Sequence, residues 1–299
     1  MTVQTPTDPS PSIAPGAAIG RVHLTVADLE RSRKFYEPLL GLSATEQSDG
    51  SVLLGEEASW PPLLSLIGDS SASPRDPRQT GLFHFAILVP SRRDLAVALT
   101  RVVQGGWRLS GASDHLVSEA MYLNDPDGNG IEIYWDRDRS AWRREASGEI
   151  AMATLPLDIE GLLHELDDAP FDPDADALLP EGTRIGHMHL QVSELEQIER
   201  FYAGVLGFDV TARNYPGALF VSAGGYHHHI GLNIWNSRGG STPPPGAVGL
   251  GVYELKLPDA AALAEVLARV KAAGIATETA SDGSTLVRDP SGNAILLTA

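Results

Sequence analysis

Cysteine is absent from all 299 residues, which excludes disulfides, zinc ribbons, iron–sulfur clusters and a thiol nucleophile together. No apolar run approaches the roughly 20 residues that span a bilayer. The opening 18 residues, MTVQTPTDPSPSIAPGAA, have neither a basic start nor an apolar stretch, so residues 1–18 read as a loose tail rather than a signal peptide. Basic residues are scarce: 22 Lys and Arg stand against 39 Asp and Glu, a formal net charge of −17. Such a surface repels phosphate backbones and anionic headgroups, so neither nucleic acid nor a membrane is an expected partner. What remains is an ordinary globular composition, 42% apolar and 20% charged, long enough for roughly two domains of about 150 residues. A soluble, cytoplasmic protein is the expectation.

What the chain does have is an internal repeat. Residues 19–42, IGRVHLTVADLERSRKFYEPLLGL, match residues 185–208, IGHMHLQVSELEQIERFYAGVLGF. Gly20, His23, Leu24, Val26, Leu29, Phe35, Tyr36 and Gly41 recur as Gly186, His189, Leu190, Val192, Leu195, Phe201, Tyr202 and Gly207. Each copy alternates like a strand, then switches to a helical period closed by glycine. A second pair, LNDPDGNGIEIYW at 123–135 and VRDPSGNAILLTA at 287–299, sets turn residues before a terminal strand. Between them, residues 81–103 and 249–270 again read as a strand followed by a helix.

The chain therefore contains four modules of about 50 residues, near 19–70, 81–138, 184–236 and 248–299. A module with one apolar sheet face must pair to bury it. The predicted fold class is α+β, four βαβββ modules pairing into two domains, 19–138 and 184–299, with a connector at 139–183. The connector carries a short amphipathic helix from Ile159 to Leu166 and an acidic stretch, DDAPFDPDADALLPEG, expected as an exposed loop. PPPGAVG at 243–249 is expected to be an exposed hinge.

The G-x-x-H-L-x-V-x-D/E-L start, the F-Y-x-x-x-L-G-F/L helix end and the D-P-x-G-N-x-I-E strand resemble the vicinal oxygen chelate superfamily. That family includes glyoxalase I, fosfomycin and bleomycin resistance proteins and type I extradiol dioxygenases. GLFHFAILVPSRRDL, SDHLVSEAMYLNDPDGNGIEIY and LFVSAGGYHHHIGLNIW look closer still to its bacterial catechol-2,3-dioxygenase branch. The resemblance implies metal ligands after the glycine of one module's first strand, at the equivalent place in the partner module, and at a glutamate on a final strand. His187, His84 and Glu132 occupy such places; Arg21, Val252 and Leu296 occupy the others and cannot bind a divalent metal usefully. Neither half holds a full set. The centre is therefore expected across the halves, by pairing of modules two and three, with modules one and four as a metal-free counterpart. Two imidazoles and a carboxylate form the facial triad associated with non-haem Fe(II), and Mn(II) accepts the same ligands. The implied reaction is extradiol cleavage of a catechol-type aromatic diol with O2, in aromatic hydrocarbon catabolism; a homo-oligomer is compatible with the sequence.

Three further features surround that set. Tyr122 precedes Glu132 by ten residues, a spacing that resembles the extradiol dioxygenases, where a tyrosine donates a hydrogen bond near the bound diol. His115 occupies a place similar to the family's histidine on the oxygen side of the metal. On an unbroken strand, His227, His229, Gly231 and Asn233 share one face and His228, Ile230 and Leu232 the other. With Ile230 and Leu232 turned to the core, His229 should face the interior and move protons, and His227 and Asn233 should contact substrate. His23 and His189 recur in both halves and read as framework; His164 reads as solvated. A glyoxalase-I-like lyase is the alternative enzyme, but the strand HHHIGLNIW lacks the second carboxylate it implies. A metal-free drug-binding resistance protein is the non-enzymatic alternative.

Overall fold

The computed structural model describes residues 12–55, 62–146, 148–280 and 282–299. Module one contains β1 (Ala18–Val26), α1 (Leu29–Leu40), β2 (Ser43–Glu46), β3 (Val52–Gly55) and β4 (Leu64–Gly68). Module two contains β5 (Gly81–Leu88), α2 (Arg92–Gln104), β6 (Gly111–Asp114), β7 (Ser118–Asn124) and β8 (Gly130–Asp136). The connector adds β9 (Leu155–Pro156) and α3 (Ile159–Leu163). Module three contains β10 (Arg184–Gln191), α4 (Leu195–Glu199), a wider π-helical stretch (Arg200–Leu206), β11 (Asp209–Ala212), β12 (Ala218–Ser222) and β13 (Ile230–Asn233). Module four contains β14 (Gly249–Lys256), α5 (Ala260–Ala272), β15 (Thr277–Thr279), β16 (Thr285–Arg288) and β17 (Ala294–Thr298). Among the described residues, no helix is long and apolar enough to cross a membrane.

The repeated motifs act as framework. Asp28 and Asp259 cap α1 and α5 by accepting backbone N–H bonds, and Ser91 with Asp94 forms a reciprocal capping box on α2. The tyrosine of each F-Y pair reaches the D-P-x-G-N turn of the following module. Tyr36 donates to Asp125 at 2.9 Å and Tyr202 to Asp289 at 3.2 Å. Each aspartate also accepts from the asparagine four residues on, Asn129 or Asn293. A buried tyrosine–aspartate–asparagine staple thus ties the modules of each half.

The sheets run the other way. One has the order β15-β16-β17-β14-β1-β4-β3-β2, joining modules four and one. The second has the order β11-β12-β13-β10-β5-β8-β7-β6-β9, joining modules three and two. Antiparallel β1–β14 and β10–β5 pairs make the joins. One face of each sheet contributes to a single apolar core, with Val22, Leu24, Met188 and Leu190 fully buried. The opposite faces carry the polar side chains.

Two regions depart from expectation. Residues 1–11 of the expected tail lie outside the described residues. From Ile13 onward the chain is packed: Ile13 and Ala17 are buried, and Ile13 N–H donates to Gly207 at 2.7 Å. Ile13 is thereby tied to the glycine that closes module three's helix. The connector also docks, with β9 extending the sheet beside β6, and Leu179 buried and bonded to Gly41.

Candidate metal centre

Strand pairing builds the centre. His187 on β10 pairs with Ala86 on β5, Ala86 with Glu132 on β8, and Glu132 with Tyr122 on β7. Four adjacent strands thus hold His187, Ala86, Glu132 and Tyr122 in one row, and paired residues share a face. Ala86 leaves the middle of the row open. His84, two residues before it, turns its ring over the gap. Gly186 is an extra residue in β10 at this point, and a Cβ there would lie 1.8 Å from the Tyr134 hydroxyl. Only glycine lets β10 pass so close and aim His187 inward. Phe83 is a second extra residue, on β5, so Phe83 and His84 both reach the cavity although adjacent.

His84 Nε2 lies 3.0 Å and His187 Nε2 3.1 Å from the same Glu132 oxygen, and all three residues are buried. Cis ligands about 2.1 Å from one metal lie about 3.0 Å apart in octahedral geometry, so the donor set fits a divalent ion. His84 Nε2 is not aligned as a hydrogen-bond donor or acceptor, which leaves it without a hydrogen-bond partner. Burial raises the affinity of the Glu132 carboxylate for a proton, but His187 and His84 outweigh it and hold the group well below the usual range. Burial lowers His187 despite Glu132. An ionised carboxylate beside an imidazole held neutral, as at His187, is the ligand state a metal requires. Among the described residues this is the one such cluster of His, Asp or Glu.

A cavity of about 450 Å³ opens over the cluster. Tyr122 lines it, and burial followed by Glu132 keeps its phenol protonated, its pKa well above the ordinary value. His115 Nδ1 lies 2.7 Å from Ala153 O, and its Nε2 2.7 Å from the Tyr122 hydroxyl. A carbonyl only accepts, so His115 carries its proton on Nδ1 and Nε2 accepts from Tyr122. With its proton committed to His115, Tyr122 turns lone pairs to the cavity instead of the expected donor, and His115 orients it.

The triple-histidine segment differs from the expected face. β13 begins only at Ile230, and Gly224 and Gly225, both at positive φ, turn the chain just before, so strand alternation does not extend back to residues 227–229. His228 lines the cavity, its ring centroid 4.2 Å from that of His187. His229 turns away: its Nδ1 accepts from Ser222 and from Ala223 N–H, and burial lowers it to about 4. His227 Nε2 bonds Asp136 at 2.9 Å, and its Nδ1 lies 2.8 Å from His228 Nδ1. With the His227 proton held by Asp136, His228 donates from Nδ1 and keeps a free lone pair on Nε2. His227 and Asn233 are not part of the cavity lining.

Other cavity residues gave no clear signal in the sequence. His189, read as framework, lies in the wall with its Nε2 unpartnered; burial and then His84 hold it neutral. Gly231 makes room for it, since a Cβ there would stand 3.0 Å from its ring. Met152 and Thr154 come from the connector, and Arg75 from the link between modules one and two.

Among its described residues the companion sheet has no such centre. Glu254 occupies the place equivalent to Ala86, and it binds Arg21 N–H at 3.1 Å and His23 Nε2 at 3.4 Å. Leu296 pairs with it where Glu132 pairs with Ala86. A carboxylate fills the gap that would receive a metal.

A family model described as the Glyoxalase/Bleomycin resistance protein/Dioxygenase superfamily matches residues 18–133 and 184–297. The chain belongs to that superfamily. A catechol-2,3-dioxygenase of Bacillus subtilis (strain 168) is 45% identical over 281 residues, 93% of this chain and 96% of that one. A solved protein of Bacillus subtilis subsp. subtilis str. 168 superposes with a TM-score of 0.63 at 14% identity, covering 97% of this chain and 86% of its own. Glyoxalase I from Zea mays gives 0.55 at 15%, covering 94% and 92%. At such identities the structural likeness carries the fold alone. This superfamily member assembles each sheet from modules of both halves of its chain.

Proposed function

We propose that the protein is an extradiol dioxygenase that opens the ring of an aromatic 1,2-diol with O2 at one Fe(II) held by His84, Glu132 and His187. The observation that carries this reading is the meeting of two imidazole nitrogens at 3.0 and 3.1 Å from one buried carboxylate oxygen beneath a cavity. The 45% identical catechol-2,3-dioxygenase supports it. A metal at this triad supplies open positions for the diol oxygens and O2, and one-electron chemistry between them; Mn(II) suits the same donors.

The chain's own residues do the rest. Tyr122 presents lone pairs to a diol hydroxyl while His115 holds its proton. His228 Nε2, with its tautomer set by His227 and Asp136, accepts a proton from the diol or returns one as the ring opens. Phe83, Phe220 and Trp235 give the ring an apolar wall. The position next to His187 is filled by His228 instead of a further carboxylate, so the reading favours ring cleavage over a four-ligand lyase.

The test is anaerobic loading with Fe(II) followed by catechol in air, with a yellow ring-opened product expected. Glu132→Ala, His84→Ala and His187→Ala should each lose most bound metal while remaining folded, and His23→Ala should keep it. Full metal occupancy in Glu132→Ala sinks the assignment.

A further inference from the structure

Among the described residues lining the cavity, Arg75 is the one guanidinium or ammonium, and Glu132 the one carboxylate. Arg75 donates from NH1 to Gly128 O at 2.9 Å and from NH2 to Leu82 O. Those carbonyls orient the guanidinium and cancel no charge. The carboxylate that acts on it, Asp125, already accepts from Tyr36 and Asn129. The cation therefore stands in the wall of a partly desolvated cavity without a hydrogen-bonded anion.

Its position along the strands is defined. On β5, Leu82 lies two residues before His84, and Gly128 lies in the turn leading into Gly130, which pairs with His84. At about 3.3 Å per residue, Arg75 hangs about 7 Å from the His84 level and about 13 Å from the level of Glu132. Gln191 fixes the loop that carries it, donating to Pro77 O at 3.1 Å and Gln79 O at 2.7 Å. Phe83, Trp235 and the unpartnered Nε2 of His189 line the same cavity. A bare catechol held by its oxygens at the triad stops short of Arg75. A ring carrying one or two further carbons and an anionic end spans the gap.

We propose that the substrate is an aromatic 1,2-diol whose ring bears a short carboxylate-terminated side chain, and that Arg75 receives that carboxylate at the end of the cavity remote from the triad. The proposal rests on the ring-cleavage reading and narrows it. The experiment compares 3,4-dihydroxyphenylacetate with its uncharged amide on the Fe(II)-loaded full chain. Wild type should favour the acid in kcat/KM by about tenfold to a hundredfold, chiefly through KM. Arg75→Gln should bring the ratio close to one, and Arg75→Lys should retain part of it. Equal use of acid and amide by wild type, or a preference that survives Arg75→Gln, overturns the proposal.

A second readout needs no turnover. Phenylacetate, which has no diol, should quench the tryptophan fluorescence of metal-free protein more strongly than phenylacetamide at equal concentration, and Arg75→Gln should abolish the difference. If this binding holds while no diol is cleaved, the ring-cleavage reading fails and the anion subsite stands. If diols are cleaved and neither measurement distinguishes acid from amide, the subsite fails alone.

Discussion

His228 and His229 are chemically identical neighbours with opposite surroundings, and the difference is measurable. His228 lies against His187 with a free Nε2, whereas His229 has its Nδ1 bonded to Ser222 and Ala223. His228→Ala should retain bound iron and lose turnover by about 10²–10⁴-fold, the usual effect of removing one acid–base group. His229→Ala should stay within a few-fold in turnover and lose about 1 kcal/mol of stability with its buried hydrogen bonds. A defect confined to His229→Ala would return proton transfer to that residue. The sequence could not separate the two, because parity counted back from Ile230 assumes a strand that Gly224 and Gly225 have already turned. The proximity of His84, Glu132 and His187 was legible through the superfamily resemblance, which marks their places in the modules as ligand positions. Arg75 and Ala153 were not, because only long-range docking brings a loop residue or a connector carbonyl to the cavity.

At the level of elements, the two sheets test what the same plan does with different residues. The Ala86 site accepts converging ligands from three strands; the Glu254 site neutralises itself. Burial raises the Glu254 carboxyl, but His23 and then Arg21 outweigh it and hold the group below its ordinary value of 4.5. A carboxylate lowered on folding stabilises the native state above its unfolded pKa, and that contribution is lost as pH falls through the folded value. Because the cluster is partly exposed, its effect is modest. Wild type should melt about 1–3 °C above Glu254→Gln at pH 7. The gap should close as pH drops below 4.5, toward and past the lowered value. Thermal melts of both proteins from pH 7 to pH 3 measure it, and a gap that widened in acid would reverse the sign assigned to the cluster. The sequence marked His23 as repeated framework, but Glu254 lies 231 residues away, visible only once β1 pairs with β14.

At the scale of the molecule, contacts of opposite kinds hold the halves and the sheets. Tyrosine–aspartate staples join modules within a half, while the β1–β14 and β10–β5 ladders join the halves into sheets. The repeat predicted four modules and the residues at their ends, and the uneven ligand set pointed to pairing across the halves. Cutting the chain within the connector, into residues 1–168 and 169–299, keeps β9 and α3 with the strand and helix they pack on. Each fragment should then expose the ladder edge of β1 and β5, or of β10 and β14, and fold poorly alone. The first retains His84 and Glu132 and the second only His187, so neither should bind Fe(II) tightly. Mixed, they should recover native circular dichroism and metal binding together. Fe(II) at a hundredfold excess over its dissociation constant should add about 2.7 kcal/mol to the paired state, because only the paired state holds three ligands. Tight binding and ring cleavage by residues 1–168 alone would require another side chain in place of His187, and the centre shared between the halves would be wrong.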